Sequence, residues 1–141
     1  MSKFDWLKYI DFADELLVQD DNDEAKRRCG ISRAYYGAYN KVVSYMKEKN
    51  IYSSNLWEGS HQTVITDCKN FGKNNKTEAE KAWLRIGNNL GRMKDMRVKA
   101  DYRDYFFPKG ATGSMKDELA KAVKRARAIA SDVETIRKEE T

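Results

Sequence analysis

Apolar residues recur along this chain at steps of three and four, and the pattern predicts five helices and no strand. Phe4, Leu7, Ile10, Phe12, Ala13, Leu16 and Leu17 predict a first helix from near Phe4 to Val18, with Ser2 and Asp5 spaced like a capping box. The acidic run Asp20 to Glu24 reads as a turn into a second helix, about Glu24 to Lys49. That helix carries two stripes, Ile31, Tyr35, Ala38, Val42, Tyr45 and Cys29, Tyr36, Tyr39, Val43, so it has to be covered on several sides. Gly37 inside it costs roughly 1 kcal/mol against alanine, which predicts a neighbour packed close at that point.

The pattern breaks from Asn50 to Ser60. Ser60 then suits the cap of a third helix, His61 to about Phe71, with His61 in its first turn. After a polar loop, Thr77 and Glu80 form a second capping-box pattern that opens a fourth helix, Glu78 to about Arg103. Phe106, Phe107 and Pro108 end it, an aromatic pair placed to pack on the bundle or on a second subunit. Met115, Leu119, Ala122, Ala126, Ile129, Val133 and Ile136 predict a fifth helix from Ser114 to about Lys138, with Lys121, Lys124, Arg125 and Arg127 as a basic middle. Five helices with short connections imply one all-α domain over residues 1–141, an antiparallel four- to five-helix bundle.

One position breaks the apolar pattern. Ala79, Trp83, Ile86, Leu90, Met93, Arg97 and Ala100 lie on one face of the fourth helix, and Arg97 stands where a leucine belongs. A guanidinium keeps its charge, so there it needs a carboxylate, a phosphate or a wet cleft. Asp101, one turn on, offers an i,i+4 pair, and Tyr102 follows it. Two readings stand: a structural pair at the rim of the core, or a cation kept to hold a phosphate. Arg33, Tyr36 and Asn40 share a face of the second helix and form another candidate polar site or RNA-binding cleft. The tyrosines Tyr35, Tyr36, Tyr39 and Tyr45 suit core packing with their hydroxyls partnered more than base stacking.

Composition narrows the chemistry. The chain has two cysteines and one histidine, without a CxxC, a nucleophile elbow or a glycine-rich phosphate loop. A zinc site, a disulfide framework and most zinc enzymes are therefore not suggested, and no cofactor or metal is implied. No apolar run approaches a bilayer span and charges interrupt the N-terminal stretch, so the expectation is a cytoplasmic protein without a membrane partner. Net charge is +5, yet residues 1–25 hold eight acids against Lys3 and Lys8, which leaves +11 on the rest and admits a polyanion partner.

Two segments carry a resemblance. Ser32-Arg33-Ala34-Tyr35-Tyr36-Gly37-Ala38-Tyr39-Asn40 and Arg97-Val98-Lys99-Ala100-Asp101-Tyr102 resemble the HEPN superfamily, in the small single-domain branch with S-R-x-Y-Y and R-x-x-A-D-Y segments. The resemblance extends in helix order over roughly residues 4 to 135. It implies a HEPN-like bundle, commonly a two-fold homodimer, encoded beside a nucleotidyltransferase-like antitoxin or other effector partner in toxin–antitoxin or anti-phage systems. It also implies a metal-independent endoribonuclease with an arginine followed by a histidine. Here the arginine is Arg97, and Tyr102 stands at the position of that histidine.

Metal-free RNA cleavage needs a base for the 2′-hydroxyl and a cation for the phosphorane; Arg97 meets the second need, but an ordinary tyrosine is a poor base. Residues five apart on a regular helix diverge by about 140°, so Arg97 and Tyr102 are expected to meet only through a distorted helix or across a dimer axis. His61 becomes the substitute base if the third helix packs near Arg97. The alternatives are a non-catalytic module that binds a nucleotidyltransferase-like partner through the same helix, and an accessory protein that binds RNA or DNA with the basic face of the fifth.

Overall fold

The computed structural model describes residues 3–19, 23–51, 61–109 and 111–140. Five helices pack into an all-α bundle: α1 (Leu7–Val18), α2 (Glu24–Lys49), α3 (His61–Phe71), α4 (Glu78–Tyr102) and α5 (Met115–Glu139). Among the described residues, no helix is long and apolar enough to cross a membrane.

Capping chemistry explains most of the boundaries. Asp23 accepts from the Lys26 amide at the start of α2, and Asn50 ends that helix in a left-handed conformation (φ 54°) with its N–H on the Lys47 and Met46 carbonyls. Thr77 and Glu80 form the predicted capping box of α4, and Ser114 caps α5 by accepting from Asp117. Helix α1 starts three residues later than the apolar stripe suggested. The Asp5 carboxylate accepts from the Leu7 amide, so it ends the extended segment and leaves Phe4 outside, 49% exposed. The Ser2 half of that capping pattern, the Asp20 to Asn22 turn and the Ser60 cap lie outside the described residues.

Helix α2 is the centre, packed on α1, α4 and α5. Ion pairs and ring contacts give the directions. Arg85 with Asp132 and Arg125 with Asn89 make α4 antiparallel to α5, and Arg28 against Ala100 with Tyr45 against Trp83 make α2 antiparallel to α4. Lys41 with Glu134 and Lys49 with Glu140 run α2 parallel to α5. Helix α3 also runs with α2, because His61 lies beside Tyr39 while Phe71 meets Trp83 near the far end. This direction carries the α3 N-terminus to the middle of α2, and the site depends on it.

The core includes Ile10, Tyr35, Met46, Ile86, Leu90, Leu119 and Ile129, all at most 1% exposed. Gly37 is where α1 crosses α2: a Cβ there would lie 2.9 Å from Ile10 Cγ1 and 3.0 Å from the Trp6 carbonyl, which answers the close approach predicted for it. The aromatic pair after α4 packs on the bundle, with Phe106 6% exposed and edge-on to Phe107.

Candidate active site

Arg97 enters the core face of α4 two turns after Leu90, and its side chain is only 12% exposed. Its guanidinium carbon lies 5.4 Å from the Tyr36 ring centroid, 5.6 Å from Tyr102 and 5.8 Å from Tyr35. Arg97 Nη1 is 3.5 Å from Asp101 Oδ2, and Ser32 Oγ donates to that same oxygen at 3.2 Å, tying α2 to α4. Arg97 Nε is buried and has no hydrogen-bond partner among the described residues. A buried N–H left unmatched costs about 1–3 kcal/mol, so the structural pair alone does not account for this side chain. Burial works against the charge, but Tyr36, Tyr102 and Asp101 outweigh it and raise the guanidinium above its ordinary value.

His61 joins the same cluster from α3. Its ring stacks on Tyr39 at 4.3 Å and 13°, stacks more distantly on Tyr35 and meets the edge of Tyr36. Its Nδ1 is 2.6 Å from the Tyr35 hydroxyl. Two tautomers fit that bond. When Nδ1–H donates to the tyrosine oxygen, Nε2 keeps a lone pair and can take a proton; when the hydroxyl donates, Nε2 carries the hydrogen. Desolvation first, then the charges of Arg97 and Lys94, lower the imidazole's pKa, so the ring is neutral at pH 7. Burial also pushes the Tyr35 hydroxyl well above its usual range, which keeps it protonated.

The structure therefore brings Arg97, Asp101, Tyr102, Tyr36 and His61 together within one chain. Tyr102 reaches Arg97 without a distorted helix or a second subunit, contrary to the geometric expectation. The cause is length: a Cα direction differs by 140°, but a long arginine stem and a phenol on the last helical residue both extend several ångströms beyond their own turn.

The second candidate constellation does not assemble. Arg33 is exposed and lies over the Tyr9 ring at 5.2 Å, and Asn40 Nδ2 donates to the Tyr36 carbonyl at 2.9 Å, one turn back on its own helix. Tyr36 alone of the three faces Arg97. Arg33 instead borders a shallow groove of about 400 Å³ with Arg28, Ser32 and Asp101.

Arg28 was not legible as part of the site. Its Nη1 donates to the carbonyls of Lys99 (3.3 Å), Ala100 (3.2 Å) and Arg103 (2.6 Å), and Nη2 donates to Asp104 (3.3 Å). These carbonyls lie at and just beyond the end of α4, the turn that carries Asp101 and Tyr102, and that of Lys99 also accepts from the Arg103 amide. The i,i+4 acid Glu24 also holds Arg28 from behind. On the other side of α4, Lys121, Lys124 and Arg125 line a groove of about 360 Å³ with Asn89, whose side-chain oxygen accepts from Arg125. Arg127 points elsewhere, to Asp11 and Asp14 of α1.

Comparison of the chain with family models, with curated proteins and with solved structures finds no match in any of the three.

Proposed function

We propose that this chain is a HEPN-like, RNA-directed protein of a toxin–antitoxin or anti-phage defence system, acting in the cytoplasm as a metal-independent endoribonuclease and assembling as a homodimer. One observation carries the reading: an imidazole and a guanidinium whose buried Nε is unmatched among the described residues lie against the same tyrosines, Tyr35 and Tyr36.

Those groups fill the roles that RNA cleavage requires. His61 Nε2, in the tautomer whose Nδ1–H donates to Tyr35, takes the proton of a ribose 2′-hydroxyl. The 2′-oxygen attacks the adjacent phosphorus, and Arg97 stabilises the added charge on the non-bridging oxygens. The phosphorus–O5′ bond breaks, and the leaving oxygen takes a proton from the Tyr102 hydroxyl, which regains one from solvent. Asp101, held by Ser32, orients the guanidinium and does not itself react.

A second reading rests on exposure. Tyr102, beside Arg97, is 74% exposed and Tyr105, three residues on, is 83% exposed, the composition of a protein-binding surface, which favours a non-catalytic module for a nucleotidyltransferase-like partner.

Incubation of purified protein with single-stranded RNA in EDTA separates the two. The enzyme reading predicts cleavage that is lost in Arg97→Ala and in His61→Gln while both variants stay folded by circular dichroism. Intact RNA, with stoichiometric retention of a partner protein that Tyr102→Ala releases, supports the second reading.

A further inference from the structure

The side of α4 that faces α3 carries a groove of about 470 Å³ whose lining includes Gln62, the residue after His61. Lys69, Gly91, Arg92, Lys94 and Asp95 also line it, three cations against one carboxylate. Helices α3 and α4 are antiparallel here, so position along the groove follows the sequence. Lys69 lies against Gly87, whose added Cβ would be 2.8 Å from Lys69 Cγ, while Lys94 Nζ donates to Gln62, the neighbour of His61. From Gly87 to Arg97 the axis rises about 15 Å, the run of a short piece of single strand.

Gly91 is the informative residue. Glycine is the poorest helix former after proline, and the other glycines of this bundle have a packing reason, as at Gly37 and Gly87. A Cβ added at Gly91 would meet no atom within 4 Å among the described residues. Among the described residues outside its own turn of α4, nothing needs the side chain to be missing, and its absence leaves bare backbone in the groove lining with Arg92 and Lys94. Close approach of a ligand to the backbone is the use of glycine that remains.

We infer that the α3/α4 groove is the strand path for RNA: Lys69, Arg92 and Lys94 hold successive phosphates, and Gly91 lets the strand lie against α4 on its way to Arg97. This rests on the RNA-directed reading given above and assigns its substrate side. Asp95 on the rim is the carboxylate a polyanion has to pass, and it limits the tight contacts to the three cations.

The probe is a fluorescein-labelled single strand of 2′-O-methyl RNA, which lacks the free 2′-hydroxyl and is not cleaved. Affinity is read by fluorescence anisotropy across a salt series. Gly91→Leu is expected to weaken binding about tenfold or more while its melting temperature stays at or above wild type, because leucine is the better helix former. Arg92→Ala and Lys69→Ala each flatten the slope of log K against log salt by about 0.7, the value for one phosphate contact on a single strand. Lys124→Ala, in the opposite groove, leaves both quantities unchanged. Wild-type affinity in Gly91→Leu, or a loss confined to Lys124→Ala, overturns the groove assignment; continued cleavage of ordinary RNA then leaves the enzyme reading standing. A wild-type protein that binds no RNA overturns both.

Discussion

Replacing Arg28 with alanine tests how the site is held. The side chain is 16% exposed and its guanidinium donates to four carbonyls at and just beyond the end of α4, the shortest bond being 2.6 Å to Arg103. A hydrogen bond from a charged donor contributes about 1.5–3 kcal/mol, and a cation at a helix C-terminus about 0.3–1 kcal/mol. These do not add fully, because Nη1 serves three acceptors and the Arg103 and Asp104 carbonyls lie where water can replace the donor. Loss of the bond at the Ala100 carbonyl and of the second bond at the Lys99 carbonyl, which keeps the Arg103 amide, remains and gives a destabilisation of about 2–3 kcal/mol.

At roughly 3 °C per kcal/mol for a chain of this size, the melting temperature falls by about 6–9 °C. Arg28→Lys keeps the charge but not the fork and recovers less than half. Amide hydrogen exchange locates the effect: protection drops at Tyr102 and Arg103 in the last turn of α4, and not in the Trp83 to Leu90 stretch. A melting temperature within about 2 °C of wild type, or uniform loss of protection along α4, refutes the assignment of Arg28 as the clamp.

Other substitutions test the packing and the imidazole. Gly37→Ala forces α1 away from α2 and is expected to cost about 1–3 kcal/mol in urea denaturation, since the Trp6 carbonyl and Ile10 cannot both move aside cheaply. His61 has a folded pKa below its unfolded value of about 6.5, so the folded state binds fewer protons between the two. Its contribution is intact above about pH 6.5 and is lost as pH falls toward the folded value. The urea midpoint therefore drops on acidification below about pH 6.5, and His61→Gln removes that part of the slope. The acidic limb of RNA cleavage falls at a pH below that of an ordinary histidine, and an unshifted limb contradicts the desolvated placement of the ring.

Helix existence and most boundaries were legible because the caps are local. Thr77 with Glu80 defines α4 from four residues, and Asp23 defines α2. Arg97 was legible for a related reason: a charge in an apolar stripe is visible from periodicity alone. Its environment was not. His61 reaches it only because α3 runs parallel to α2 and lays its first residue on Tyr35 and Tyr39, a direction that no local pattern encodes.

Face-sharing also proved weaker than contact. Arg33, Tyr36 and Asn40 do lie on one side of α2, but Asn40 turns to a backbone carbonyl and Arg33 to a ring on α1. Arg28 looked like one more cation on a charged helix, and only the antiparallel approach of α4 gives it four acceptors.

The most direct measurement is the chemistry of the RNA ends made in EDTA, read by mass spectrometry. Attack by the neighbouring 2′-oxygen, with Arg97 on the phosphorane, predicts a 2′,3′-cyclic phosphate on one fragment and a 5′-hydroxyl on the other, and no fragments from Arg97→Ala. Fragments ending in 5′-phosphate and 3′-hydroxyl, or undiminished cleavage without the guanidinium, contradict the account.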